Sequence, residues 1–158
     1  MVQFMATTGR SRAETRFFFN LTRPVGRGYP NAPADDVSFV QLCIAAGAPE
    51  ARESAEIRRV WSKVKVTGRM DAETQAAIDV WQAYRKTLFK RYDADGIISV
   101  APPSAFYARD TPYEILVFNW ILLMAARMIW PRVDKDPHCT PVLGTAIRTT
   151  LGGQWLNS

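Results

Sequence analysis

His138 is the only histidine in the chain, and it stands beside Cys139 with Asp134 and Asp136 just upstream. A zinc site needs three or four such ligands in tetrahedral arrangement, and this spacing follows no zinc pattern. Zinc peptidase and Ser-His hydrolase chemistry both lack their further histidines or their partner base. A Cys-His nucleophile would require Cys43 or Cys139 to meet His138, yet sequence neighbours rarely point at each other. Cys43 falls in an apolar helical pattern, where a buried thiol is the usual occupant. A disulfide between Cys43 and Cys139 stays open. The carboxylates Glu53, Glu56, Asp71, Glu73, Asp79 and Glu114 could furnish the acid and base of a glycoside hydrolase. Most of them, however, fall at helix caps or on polar helix faces. Gly26-Arg27-Gly28 lacks the spacing and the Lys-Ser/Thr of a nucleotide loop, and it runs into a proline-rich turn instead of a helix. These residues predict no covalent chemistry, metal site or cofactor.

The 158 residues, 47% hydrophobic, suit one folded domain with a sizeable core. A formal charge of +5 and a pI near 9.5 favour an anionic partner such as nucleic acid, acidic wall polymer or a membrane surface. The basic residues are scattered, without the interleaved aromatics of a single-strand groove, so no specific nucleic-acid site is expected. Ile115 to Trp130 is too short for a bilayer and is interrupted by Asn119 and Arg127, so no transmembrane segment is expected. Met1 to Arg16 has no apolar h-region, which predicts synthesis in the cytoplasm without a Sec signal.

The elements that must position these residues read as mainly α. Residues 1–16 are expected as a flexible leader and 17–158 as a single globular domain. Phe17 to Phe19 with Leu21 should dock, as a short strand, before a turn-rich loop over 22–33. Asp35-Asp36 supplies a cap and first-turn charge for a helix bearing Val37, Val40 and Ile44 on one face, ended by Gly47 and Pro49. A second helix is expected from about Ala51 to Trp61, and Val64 to Val66 reads as extended. Asp71 caps the clearest amphipathic helix, with Ala77, Trp81, Tyr84 and Leu88 along one side. Ile97 to Val100 reads as a strand. Asp110-Thr111-Pro112 opens a long helix with one apolar face of Ile115, Phe118, Leu122, Ala125 and Ile129. Its other face carries Leu116, Trp120, Leu123 and Trp130, so the helix is either central or covered by a partner. Trp120 and Trp130 are the candidate partner contacts. A last helix from Pro141 to Leu151 stops at Gly152-Gly153, and Trp155 lies beyond it, tucked back or exposed.

The segment Val66 to Gln82 resembles the signature half of the peptidoglycan-binding domain family, in which an Asp-Gly-x-Phe-Gly turn precedes a helix with a Thr, small residues and an aromatic followed by Gln. Gly68, Met70, Thr74, Ala76, Ala77, Ile78, Trp81 and Gln82 occupy matching or similar positions. Asp36-Val37 and Val40-Gln41-Leu42 resemble the family's first helix, which ends at a glycine as Gly47 does here. Thr67 stands where the family has its turn Asp, and Asp71 where it has the second Gly. The likeness covers Asp35 to Leu88 and leaves 92–158 as a helical extension. A weaker echo, Asp95-Gly96-Ile97-Ile98 followed by Tyr113 to Leu123, does not amount to a repeat.

The resemblance implies a three-helix core in which Met70 plugs the interior and Trp81 with Ile78 packs against Val37 and Val40. It implies a noncatalytic module binding peptidoglycan or a cell-wall fragment, with Tyr29, Arg69, Asp71 and Gln75 as ligand contacts at the turn. Without a Sec signal or an attached hydrolase, the setting it suggests is an accessory of a type VI secretion or contractile injection apparatus, delivered to the periplasm or envelope. A protein-interaction adaptor that reuses the fold is the alternative. An exposed aromatic face would favour the adaptor, and a polar groove at the turn would favour the wall binder.

Overall fold

The protein is described by a computed structural model, which covers residues 3–7, 16–52, 54–89, 92–102 and 113–152. It is mainly helical, with short strands. Helix α1 (Ala34–Gly47) is buried at every residue from Asp36 to Gly47. No charge follows Asp36 in its sequence, and a helix apolar all round belongs in the centre of a domain. Helix α2 (Ala55–Trp61) packs on α3 (Ala72–Leu88), while α4 (Glu114–Ala125) makes the broadest contact with α1. Helix α5 (Pro141–Leu151) closes the other side against α1 and the 3-10 turn Val133–Lys135.

Strand β1 (Gln3–Thr7) pairs antiparallel with β2 (Arg16–Asn20), so part of the segment expected as a flexible leader is a strand. Strand β3 (Val25–Gly26) pairs with β4 (Ile97–Ile98). Other sequence expectations change as well: α2 begins at Ala55 and not at about Ala51, and β4 is limited to Ile97–Ile98. Helix α1 has Pro33 at its N-cap with no side-chain cap; Asp36 instead turns back, its Oδ2 accepting from the Thr22 amide, the Thr22 hydroxyl and the Arg23 amide at 3.0, 2.6 and 3.0 Å. Val64 to Val66 is irregular. Helix α4 ends at Ala125 and gives way to turns before Pro131, where the pattern predicted helix to Trp130. Helices α3 and α5 match their expected spans, and Asp110 to Pro112, Gly153 and Trp155 lie outside the described residues.

The halves before and after residue 92 share one core. Trp61 of α2 and Trp81 of α3 meet at 5.2 Å between ring centroids, and Phe118 of α4 sits 6.0 Å from Trp61 and 6.3 Å from Trp81. Trp81 thus packs towards α2 and α4. The indole nitrogens stay satisfied as burial requires. Trp61 donates to the Ala77 carbonyl at 3.1 Å, and Trp81 to the Glu114 carboxylate. Glu114, itself buried, also takes Arg85 at 3.2 Å. Gly47 leaves room for α4 and α2 beside α1: a Cβ there would lie 2.4 Å from the Ile121 side chain and 3.1 Å from the Trp61 ring.

Asn119, the polar residue in the apolar α4 sequence, is buried and holds β2. Its Oδ1 accepts from the Phe19 amide at 2.7 Å, and its Nδ2 donates to the Phe19 carbonyl at 2.7 Å and to the Ile115 carbonyl at 2.8 Å. Asn20 does the same for the segment after β4, donating to the Ala101 carbonyl at 2.8 Å and accepting its amide at 3.1 Å. Asn119→Leu keeps the branched outline and the number of side-chain heavy atoms but removes the amide, stripping two buried bonds from Phe19. Urea unfolding should show it destabilised by about 2–4 kcal/mol, at about 1–2 kcal/mol per lost buried bond, whereas Asn119→Gln should recover little because its amide is displaced by a methylene.

Candidate functional site

The turn that carries the resemblance is built around Gln41. Its Nε2 donates to the Arg69 carbonyl at 2.9 Å, the Thr74 hydroxyl at 2.9 Å and the Thr67 hydroxyl at 3.2 Å. Its Oε1 accepts from the amides of Thr67 and Gly68, both at 2.9 Å. Gly68 takes a φ of +73°, a conformation that resists a side chain, and a Cβ there would come within 2.9 Å of the Ser38 hydroxyl. Asp71 caps α3, accepting from the Thr74 amide at 2.8 Å and from the Thr74 hydroxyl. Met70 packs partly buried against the core.

One helical turn further on, α3 holds a second turn in the same way. Gln75 donates to Asp79 at 2.9 Å and to the Gly96 carbonyl at 3.0 Å. Gln82, buried, accepts from the Gly96 amide at 2.6 Å and donates to the Ile97 carbonyl at 2.9 Å. Arg27 adds its amide to the Gly96 carbonyl and a 2.9 Å ion pair to Asp79.

The four expected ligand contacts therefore divide. The carboxylate of Asp71 is a helix cap, and the amide of Gln75 secures the Asp95-Gly96 turn. Arg69 is exposed on the first turn, and Tyr29, 41% exposed, lies in the loop after β3. None of the four lines the groove beside α4 or the polar cavity beside Tyr92.

The larger concavity, about 410 Å³, runs beside α4 and is walled by Trp61, Trp81, Trp120, Ile121 and Met124, with Gly47 at its base and Glu50 and Arg52 on its rim. Trp120 and Met124 are 57% and 53% exposed, and Met128, just past the helix end, is 88% exposed. Their spacing of four stacks Trp120 and Met124 on one side of the helix. Trp130, the other expected partner contact, is half-buried instead, its ring edge-on to Phe19 at 5.7 Å. The smaller cavity, about 210 Å³, is polar and is bordered by Gln82, Asp93, Asp95 and Glu114 with Tyr92 and Tyr113. Burial and then the neighbouring Glu114 push the Tyr92 phenol well up.

The residues weighed for catalysis are apart or engaged. Both cysteines are free thiols. Burial pushes the Cys43 thiol well up, and burial with Asp134 and Asp136 raises Cys139 to about 11. The His138 amide donates to Asp136 at 2.9 Å in a loop turn. Asp134 is ion-paired to Arg132 at 2.9 Å and to Arg148 at 3.4 Å; burial pushes its carboxyl up, but the hydrogen bonds and charges of the two arginines hold it below the usual range. Glu56 and Glu73 are exposed on helix surfaces, and Glu53 lies outside the described residues. Among the described residues no three His, Cys, Asp or Glu side chains gather as a metal site.

Two outcomes check this geometry. At pH 8 only about a thousandth of a thiol with a pKa of about 11 is ionised. Native protein should therefore react slowly with a thiol reagent, and both cysteines should react promptly once it is unfolded. Gln41→Leu should lower stability by about 1–3 kcal/mol, since the buried carboxamide is lost and the part-buried turn amides lose their acceptor, and amide exchange should speed first at Thr67 and Gly68.

Comparison of the chain with models of protein families, with curated proteins and with solved structures finds no match.

Proposed function

We propose that this chain is a noncatalytic protein-interaction module whose docking face is α4. The observation that carries this is the exposure of Trp120 and Met124 at the mouth of an apolar groove already walled by Trp61 and Trp81. Large apolar side chains gathered in one exposed patch mark interaction surfaces, and tryptophan dominates binding energy where it anchors a pocket. A partner would present an apolar segment to this groove. A subunit of a secretion or injection assembly, the setting the resemblance suggests, is a partner of that kind. No helix among the described residues is long and apolar enough to cross a membrane, so the apolar face of α4 has no membrane-spanning role to explain it.

The wall-binding reading would draw on the Thr67 to Thr74 turn. Its polar groups are largely engaged within the fold, which leaves Arg69 and Tyr29 as its outward contacts.

Selection of random peptides displayed on phage, against the wild type and Trp120→Ala side by side, separates the two readings. The interaction module should enrich peptides with aromatic or aliphatic anchors whose affinity falls about tenfold or more in Trp120→Ala, a loss typical of an anchoring residue. Absence of such peptides, together with high-salt retention on purified peptidoglycan sacculi that Arg69→Ala abolishes, would replace it with wall recognition.

A further inference from the structure

Basic residues run the length of the chain, but their excess over acids does not. Residues 57–70 hold Arg58, Arg59, Lys63, Lys65 and Arg69 and no acid, while outside them fifteen basic residues stand against fifteen acids, so the formal charge of +5 belongs to this stretch alone. All five side chains are exposed, and among the described residues none is ion-paired. The fold gives them their direction. Ile57 and Trp61 face the core from α2, which sends Arg58 and Arg59 of its last turn outward. Beyond the helix burial alternates: Val64 is buried and Val66 and Met70 are half-buried, whereas Lys63, Lys65, Thr67 and Arg69 are exposed. The bonds from Gln41 to the Thr67 and Gly68 amides and to the Arg69 carbonyl hold the backbone of that row in place. A row held this way needs little ordering before it meets an extended anion.

We infer that this row binds the phosphate backbone of a nucleic-acid duplex, without regard to base sequence. Cations set against a line of phosphates release its condensed counterions, which is the source of sequence-independent affinity. The surroundings of the row select the duplex. A single strand is gripped by aromatics on which its bases stack, and a membrane surface holds a basic segment firmly when an apolar anchor backs it. Among the described residues no large hydrophobic side chain is exposed between positions 57 and 70. A duplex keeps its bases stacked within itself and offers phosphates to such a surface. Base edges stay unread, since α2 is seven residues long with one face packed on α3, and the segment has no Asn or Gln to pair with adenine. The row is separate from the docking face of α4, because none of its five cations lines that groove.

Fluorescence anisotropy of a labelled DNA duplex of arbitrary sequence, titrated with the full chain between about 50 and 200 mM NaCl, tests this. The wild type should bind with a slope of log affinity against log salt of about −4 to −5, as five phosphate contacts require, and equally well when the duplex sequence is changed. Lys65→Ala should reduce that slope by about one. The triple change Arg59→Glu, Lys63→Glu and Lys65→Glu should lower affinity about a hundredfold or more, since each lost contact becomes a repulsion. A second triple change, Lys86→Glu, Arg127→Glu and Lys135→Glu, alters net charge equally at exposed positions elsewhere and should cost less than about tenfold. Circular dichroism confirms that both are folded. Equal losses in the two triple variants overturn the inference in favour of bulk charge. So does a wild type that ignores the duplex at the lowest salt, that binds the matching single strand more tightly, or that prefers vesicles containing an anionic lipid.

Discussion

The carboxamide of Gln41 is the interaction on which the architecture turns. A carboxamide presents an acceptor and donors in one plane, as a peptide group does, so it can complete the hydrogen bonding of a backbone with no strand beside it. Gln41 does this for Thr67, Gly68 and Arg69, where the chain must reverse between α2 and α3. Fixing that reversal sets Asp71 at the start of α3, and the start of α3 decides where Trp81 points. Trp81 in turn joins Trp61 and Phe118 in the cluster that fastens the C-terminal helices to the rest.

The same device recurs. Asn20, Gln82 and Asn119 each hold both the amide and the carbonyl side of a distant backbone segment. The sheets of this protein are too small to satisfy its irregular segments, and buried backbone groups must be paired. Side-chain amides, on the helices at Gln41, Gln82 and Asn119 and at the end of β2 at Asn20, take over the work of missing strands. A single net hydrogen bond contributes only about 1 kcal/mol, but an unpaired buried group costs more than that, so the amides matter most as guards against vacancies. They also specify register, since a helix slipped by one residue would carry its amide away from the turn.

Much of the helical framework could be read from the sequence because periodicity and capping are local. The span of α3 follows from Asp71 and the run Ala77, Trp81, Tyr84 and Leu88, and that of α5 from Pro141 and Gly152. Long-range chemistry was harder to read. Asp36 looks like a helix cap to any local rule, yet Thr22 and Arg23 outbid the helix for its carboxylate. Gln75 looked available to a ligand because nothing nearby in sequence reveals that Gly96 will fold against it. Asn119 was legible as an interruption of an apolar helix but not as a bracket for Phe19. Trp120 and Trp130 sat on one predicted face, and the early end of α4 sent them to different surroundings, one to solvent and one to the core. The groove itself was not visible, because its walls come from three helices and its depth depends on the missing side chain at Gly47.

The bond between Asn119 and Phe19 also orders events in time. It joins residues 100 apart, and closing so large a loop forfeits chain entropy that only the assembled helices can repay. During synthesis the β1–β2 pair emerges well before its anchor, which is translated 100 residues after Phe19. That pair is thus secured only when α4 arrives, and until then Phe18 and Phe19 lack the packing that buries them in the finished fold.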